Sequence, residues 1–248
     1  MSKNSDTEPL LEALIAPSKK EDAPAADYLG HRDRLKQKAL TFGCDALQDY
    51  ELLEMLLTYS IPRKDVKPLA KELIRSFGSF ASVFNASPEE LKQIKGVKDN
   101  TAALIAAIRS SALRLAKSQF SSGPVIKDWK ALIEYCKIDM GQKKSECLRI
   151  IFLDTRNQLI KDEILQKGSI SQTPVYPREI AKRALELGAS SIVMVHNHPA
   201  CDMRPSKSDI QMTNAVQNAL AALNINLIDH LIISKSGHLS FKDCGFLK

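Results

Sequence analysis

Two histidines and an aspartate stand close together near the end of the chain, in the stretch "VMVHNHPACDMRPSKSD". His196 and His198 follow a short apolar segment, and residues i and i+2 of an extended chain project to the same side. Their imidazoles could therefore reach one ion, and Asp209, at the start of the next helix, could supply a third ligand. Two histidines and one aspartate leave one position for water, which is typical of catalytic zinc sites.

Two simpler interpretations of these residues stay open. Ser206 and Asp209 have the spacing of a helix-capping box, in which each side chain bonds the backbone amide of the other residue. Two histidines at a strand end are also compatible with a polar rim that binds nothing. The joint spacing of the histidines, the following proline, the serine and the aspartate favours the metal site.

The elements around this stretch alternate between strands and helices. An apolar strand, "SSIVMV", precedes the histidines, and a long helix, "SKSDIQMTNAVQNALAALNI", follows them. Upstream, "ECLRIIFLDT" and "LIKDEILQKGSI" predict a hairpin, and "YPREIAKRALELGA" predicts a helix that begins at Pro177. Downstream, "NLIDHLIIS" and "HLSF" predict two more strands. This alternation indicates an α/β domain of two or three layers.

The first half of the chain has a different pattern, with apolar residues three and four apart between helix breakers. It predicts helices in "HRDRLKQKALTFG", "LQDYELLEMLLTYSIP", "DVKPLAKELIRSFGS", "SPEELKQIKG" and "DNTAALIAAIRSSALRLAKSQF". The segment "SSGP" then breaks the pattern. We therefore predict a flexible tail at 1–27, a helical domain at 28–120, a linker at 121–126 and the α/β domain at 127–247.

Composition limits the classes of protein that the chain can belong to. Of its 248 residues, 44% are apolar and 26% are charged, which is typical of a folded globular protein. The five cysteines are scattered and form no C-x-x-C pair, so a disulfide framework or a thiolate zinc site is excluded. The chain has no signal-peptide pattern and no apolar run of a membrane span's length, so we expect a cytoplasmic protein.

The residues around the histidines resemble a known family. "HNHPACDMRPSKSD" is similar to the H-x-H-x10-D signature (JAMM motif) of the JAB/MPN metallo-hydrolases, and its context resembles the RadC branch. "DYELLEMLLTYSIPRKDVKPLAKELIRSFGSF", "TPVYPREIAKRALELGA" and "LIDHLIIS" extend the resemblance over roughly residues 28–247. Ala200 and Cys201 depart from the family pattern, which usually has Ser-Gly directly after the His-Pro. The resemblance implies a JAB/MPN-like, cytidine-deaminase-type mixed sheet flanked by helices, preceded by a small all-helical domain.

The resemblance also implies a zinc ion bound by His196, His198 and Asp209. Such a zinc lowers the pKa of a water molecule towards neutrality and makes it a nucleophile. Ser206, by the same resemblance, would stabilise the oxyanion of a tetrahedral intermediate. The implied reaction is the hydrolysis of an amide or isopeptide bond, with a protein or peptide as substrate.

In that family a glutamate upstream of the histidines accepts the proton of the water. The candidates considered are Glu163, Glu179 and Glu186. We favour Glu163, because its strand could run beside the strand of the histidines. Glu179 falls in the first turn of a helix, where a carboxylate complements the helix dipole, and Glu186 is expected to be solvated. An exposed strand residue without a role is the alternative for Glu163.

The helical domain contains a further resemblance, since "LKQIKGVKDNTAALIAAI" is similar to a helix-hairpin-helix. Gly96, Val97 and Ala102 match that motif, whereas Lys98 replaces its second glycine, the residue suited to positive φ. Such hairpins place backbone amides against DNA phosphates, so weak, non-specific DNA binding is expected, with a hairpin used only for packing as the alternative. The chain's net charge of +6 permits contact with a polyanion.

Two other functions are compatible with the sequence. One is a DNA-associated accessory protein of repair or recombination whose metal site is structural or vestigial. The other is a nuclease, but a single site of two histidines and one aspartate is a poor match to two-metal nucleases. The remaining histidines, His31, His230 and His238, stand apart from any partner in the sequence, and we expect them to be structural.

Overall fold

A computed structural model describes residues 27–167, 176–200 and 202–247. The predicted tail lies outside these ranges, apart from Asp27, and so does Cys201. None of the helices in the described ranges has the length and apolar character that crossing a lipid bilayer requires. The chain divides into two compact units, residues 1–70 and 71–248. The predicted boundary at 121–126 stays a prediction.

The first unit is helical. It contains α1 (Asp27–Phe42), α2 (Asp49–Ser60) and the beginning of α3 (Lys67–Phe77). A capping box formed by Gln48 and Glu51 starts α2. Its core consists of buried aliphatic side chains: Leu35, Leu53, Leu57, Val66 and Ala70. These helices agree with the predicted pattern, because the apolar residues three and four apart form one buried face.

The second unit begins with a further set of helices. They are α4 (Phe80–Asn85), α5 (Pro88–Lys92), α6 (Asp99–Ser121) and α7 (Trp129–Met140). Ser87 caps α5, as its sequence pattern predicts, and forms a capping box with Glu90. The sequence pattern did not predict α4 and α7. A helix of six residues such as α4 is too short for its periodicity to be recognised.

A five-stranded mixed sheet forms the centre of the second unit. Its strands are β1 (Cys147–Leu153), β2 (Leu159–Lys167), β3 (Ser191–Asn197), β4 (Asn226–Ile233) and β5 (His238–Ser240). Their order is β2-β1-β3-β4-β5. Only β3 and β4 pair in parallel. With α8 (Pro177–Glu186) and α9 (Lys207–Ala221), the sheet confirms the predicted α/β class and the helical region before it.

Helices cover both faces of the sheet. Ile192 and Met194 of β3 lie in a core cluster with residues of α8 and α9. Val193 and Val195 lie in a second cluster, with residues of α7 and with Phe120 at the end of α6. The unit therefore has three layers. Because both faces of β3 are covered, its sequence is continuously apolar over residues 192–195 and does not alternate there.

An ion-pair network connects the helices to the beginning of the sheet. Asp139 of α7 binds Arg149 of β1, and its Oδ1 lies 3.0 Å from Nη2 of Arg109 in α6. Lys143, in the loop after α7, places its Nζ 3.2 Å from Oδ2 of Asp139. A buried carboxylate shared by three cations keeps its charge, because the cations lower its pKa although burial raises it. The network fixes the loop that leads into β1.

Candidate metal centre

The two histidines lie where β3 ends, at one edge of the sheet. His196 is the second-last residue of β3 and is fully buried, whereas His198 follows the strand and is partly exposed. The amide of His198 still donates to the carbonyl of Ile233 in β4, at 2.9 Å, so the chain stays extended past the strand. Both imidazoles therefore project to the same side, as their spacing predicts.

Asp209 reaches the histidines from the first turn of α9. Its Oδ1 lies 3.5 Å from Nε2 of His196, and its Oδ2 lies 3.5 Å from Nε2 of His198. The two Nε2 atoms are 2.8 Å apart. One ligand atom from each residue can be chosen so that all three lie within 4.8 Å of one another. The structure thus brings together the three predicted ligands.

The capping box predicted for Ser206 and Asp209 is also present. Oγ of Ser206 accepts a hydrogen bond from the Asp209 amide at 3.1 Å, and Oδ2 of Asp209 accepts from the Ser206 amide at 2.7 Å. The Ser206 hydroxyl lies 2.7 Å from the same Oδ2. The two interpretations were therefore not alternatives, because the cap fixes the carboxylate in the orientation that faces the histidines.

A chain of hydrogen bonds behind His196 determines which of its nitrogens carries the proton. Thr213 donates its hydroxyl proton to the carbonyl of Asp209, at 2.6 Å. It must therefore accept from Nδ1 of His230, 2.7 Å away, which leaves Nε2 of His230 as an acceptor. Nδ1 of His196 lies 2.6 Å from that Nε2 and must donate to it. The lone pair of His196 is then on Nε2, facing Asp209.

The same reasoning applies to His198. Its Nδ1 lies 2.6 Å from the carbonyl oxygen of Asp202, which can only accept, so Nδ1 carries the proton. In the neutral form of each ring, both Nε2 lone pairs then converge with the two carboxylate oxygens of Asp209. Four electron-pair donors this close repel one another unless a proton or a metal cation lies between them. The donor set therefore fits a divalent ion such as zinc, which imidazole and carboxylate ligands suit.

The pKa values of these groups indicate where a proton would compete with a cation. Burial lowers the pKa of His196 to about 4 and also lowers that of His230, so both rings are neutral at pH 7. Burial raises the pKa of Asp209, but the hydrogen bonds with His198 and Ser206 outweigh it and hold the pKa below its usual value. The hydrogen bond with Asp209 raises the pKa of His198. A cation bound at this site would therefore compete with a proton for Nε2 of His198.

Glu163 lies farther from the histidines than its sequence position suggests. It pairs with Ile150 of β1, and Ile150 pairs with Met194 of β3. Because β1 separates β2 from β3, the two strand backbones are roughly 10 Å apart. The expectation that the strand of Glu163 runs beside the histidine strand is therefore wrong.

The carboxylate of Glu163 is also bound to an arginine. Its two oxygens lie 2.6 and 2.9 Å from the guanidinium nitrogens of Arg183 in α8, which lowers the pKa of Glu163. The same guanidinium contacts Glu186 at 3.0 Å. Glu179 lies 3.2 Å from Arg178 in the first turn of the same helix. All three of the glutamates considered from sequence thus take part in ion pairs that involve α8.

A fourth glutamate, which the sequence analysis did not consider, lies next to the histidines. Glu146 directly precedes β1, and Leu148 pairs with His196 in the antiparallel ladder. Continuing that register by two residues places Glu146 opposite His198. Its negative charge contributes to the raised pKa of His198. The missed signal was the start of "ECLRIIFLDT", a glutamate directly before the other strand of the predicted hairpin.

The partners of His230 were not predicted from the sequence. We expected it to have no partner, but it is fully buried between His196 and Thr213. Its strand, β4, pairs in parallel with β3, and this pairing places His230 opposite Met194, two pairs from His196. His31 likewise has a partner, since its Nε2 lies 3.0 Å from the buried carboxylate of Glu54. His238 is exposed on β5.

Comparisons with known proteins agree with this fold. Residues 126–246 match the family model of a RadC-like JAB domain, and residues 28–103 match that of the UPF0758 N-terminal region. A UPF0758 protein of Ruegeria pomeroyi is 47% identical over 217 residues, which cover 88% of this chain and 97% of that protein. One of Rhodobacter capsulatus is 45% identical over 213 residues, covering 86% and 100%.

The resemblance to the RadC family is thereby confirmed. The first match includes every residue of the site, from Glu146 to His230. The second ends within α6 and includes the hairpin at Gly96. The chain belongs to the UPF0758 family, and its C-terminal half is a RadC-like JAB domain.

Proposed function

We propose that the protein is a zinc-dependent hydrolase of amide or isopeptide bonds. The observation that carries this proposal is the convergence of Nε2 of His196, Nε2 of His198 and the Asp209 carboxylate. The Nδ1 atom of each ring is already hydrogen-bonded to another residue. Three protein ligands leave a position for solvent, as in hydrolytic rather than structural zinc sites. The partly exposed ring of His198 is the side from which a substrate would reach the site.

Zinc in this site would act as a Lewis acid that lowers the pKa of a water molecule. The residues around it have separable tasks. His196 and Asp209 are buried and fixed by hydrogen bonds, so they set the geometry of the donor set before any ligand arrives. Such preorganisation lowers the cost of reaching the transition state, because few groups have to move during the reaction.

We propose Glu146 as the general base. A base must come within hydrogen-bonding distance of the proton that it accepts, directly or through one water molecule. Glu146 lies in register with His198, whereas Glu163 is two strands away and binds Arg183 with both oxygens. Glu163 could accept a proton only after leaving that arginine. The register therefore favours Glu146 over the glutamate that we first considered.

Ser206 keeps its predicted role as an oxyanion donor within this proposal. Its hydroxyl lies beside Asp209, at the same edge of the site as the ligand oxygens. The hydroxyl shares its proton between Oδ2 of Asp209 and the hydroxyl of Ser208, 2.8 Å away. To donate to an oxyanion it must rotate away from one of these partners while its oxygen still caps α9.

The hydrolase proposal is tested by removing and restoring the metal. The full-length protein is assayed with fluorogenic peptide and isopeptide substrates before chelation, after chelation and after addition of one equivalent of zinc. We expect hydrolysis to fall to background with the chelator and to recover with zinc, because the chelated protein lacks the Lewis acid. Hydrolysis that chelation leaves unchanged contradicts the proposal. A protein that binds zinc but cleaves neither substrate class favours the accessory-protein alternative.

We propose, as a second activity, weak and non-specific binding of DNA by the hairpin between α5 and α6. Gly96 has φ 103°, which suits the tight turn, and Val97 is buried beneath it. Lys98 has φ −119°, an ordinary extended conformation, so replacing the second glycine causes no strain. The side chains of Lys95 and Lys98 are exposed and could contact phosphates.

DNA binding is tested by fluorescence anisotropy with the full-length protein and a short duplex. We expect affinity to fall steeply between about 50 and 200 mM salt, since phosphate contacts release counterions. The double variant Lys95→Ala, Lys98→Ala should bind more weakly. The slope of log affinity against log salt should decrease by about the amount that two phosphate contacts contribute. Lys182→Ala, an exposed lysine of α8, is the matched control. Equal binding by the hairpin variant and the control would assign the hairpin to packing alone.

A further inference from the structure

The residue between the two metal-ligand histidines is itself buried and polar. Asn197 is 1% exposed, and its side chain contacts the chain that leads into β1. Its Nδ2 donates to the carbonyl of Ser145 at 3.1 Å, and its Oδ1 accepts from the amide of Cys147 at 2.9 Å. The Cys147 thiol lies 3.1 Å from the same oxygen. These contacts fix the orientation of the amide group, because each of its atoms faces a partner of the opposite kind.

The two backbone groups that Asn197 binds flank a single residue, Glu146. The antiparallel pairs between β1 and β3 begin at Leu148 and His196, so Glu146 lies just beyond that ladder. The Asn197 side chain makes hydrogen bonds there to the residues on either side of Glu146. The backbone of Glu146 is thus held by the same short segment of β3 that carries both histidines.

The alternation of side chains along β3 separates the metal site from the residue that holds the Glu146 segment. His196 projects to the face of the sheet that holds Ile192 and Met194. Asn197 is an even number of residues from Val193 and Val195 and therefore projects with them to the other face. Asn197 therefore supports the segment of Glu146 without entering the donor set. A three-residue sequence, His-Asn-His, links the two metal-ligand imidazoles to the position of the carboxylate opposite them.

We infer that Asn197 is a positioning residue that sets the location of Glu146 relative to the metal site. The inference rests on the proposed function, in which Glu146 accepts a proton. A general base displaced by about 1 Å loses most of its effect, because proton transfer requires hydrogen-bond distance in the transition state. Loss of Asn197 should therefore act on the chemical step through Glu146 and leave the metal ligands in place.

The inference is tested with Asn197→Ala and the milder Asn197→Ser, which cannot bridge both backbone groups. Ser191→Ala is the matched control, since Ser191 is a buried polar residue of β3 that bonds Asn157 at the other end of the strand. We expect both Asn197 variants to retain zinc, and hydrogen exchange of the Cys147 amide to accelerate by about 10-fold or more. Ser191→Ala should leave that amide protected.

The kinetic expectation is a fall of about 10- to 100-fold in kcat with KM nearly unchanged, the size typical of residues that orient a metal site from outside it. In a Glu146→Gln background, Asn197→Ala should have no further effect on kcat. A further loss in that background shows a general structural role and overturns the inference, as does unchanged exchange at Cys147. If the wild-type protein hydrolyses no amide, the hydrolase proposal fails, and the exchange comparison alone decides whether Asn197 holds this segment.

Discussion

Replacing His198 with alanine will remove most of the zinc that the purified protein carries. Protein prepared without chelator should contain about one zinc per chain, because within the described ranges one set of three candidate ligands converges, at the end of β3. The variant keeps only His196 and Asp209, two ligands that cannot hold the ion through purification. His198 is partly exposed and lies beyond β3, so the fold should survive the change. Metal analysis and thermal unfolding measure the two effects separately.

The exposed His238 of β5 provides the control, since His238→Ala should keep the full zinc content. His230→Phe should have an intermediate effect. It keeps an aromatic ring beside Phe241 but removes the acceptor for Nδ1 of His196, so zinc affinity should fall about 10- to 100-fold. Full zinc content in a variant lacking both His196 and His198 would show that the metal is bound elsewhere.

The grouping of the three candidate ligands could be predicted because they are close in sequence. His196 and His198 are two residues apart in an extended segment, and the alternation of side chains places them on one side without any knowledge of the sheet. Asp209 opens the next helix, and its capping pattern with Ser206 is local as well. Each of these inferences depends on the conformation of a few consecutive residues, which the sequence specifies.

The surroundings of the ligands could not be predicted in the same way. Glu146 and His230 reach the site through the pairing of β1 and β4 with β3, over separations of about 50 and 34 residues along the chain. The sequence predicted the hairpin of β1 and β2 but not which of its strands pairs with β3. The central position of β1 takes Glu163 away from the histidines and brings Glu146 next to them. Sheet order is a tertiary property, and one segment does not contain it.

Replacing Glu146 with glutamine will strongly reduce the kcat of amide hydrolysis while zinc stays bound. Glutamine has nearly the shape of glutamate but cannot accept the proton, so the base is removed and the ligands are untouched. General bases typically contribute about 10²- to 10⁴-fold, and kcat should fall by that factor.

Glu163→Gln is the decisive comparison, because it changes the glutamate that the sequence first suggested. It breaks a partly exposed ion pair with Arg183, which should alter stability by at most about 1 kcal/mol and leave hydrolysis nearly unchanged. Glu179→Gln and Glu186→Gln should likewise leave hydrolysis nearly unchanged. Hydrolysis that survives in Glu146→Gln but is lost in Glu163→Gln, with zinc retained in both, would show that Glu163 leaves Arg183 to act as the base. Hydrolysis that survives in all four variants would mean that no carboxylate among them activates water, and the proposed mechanism would be wrong.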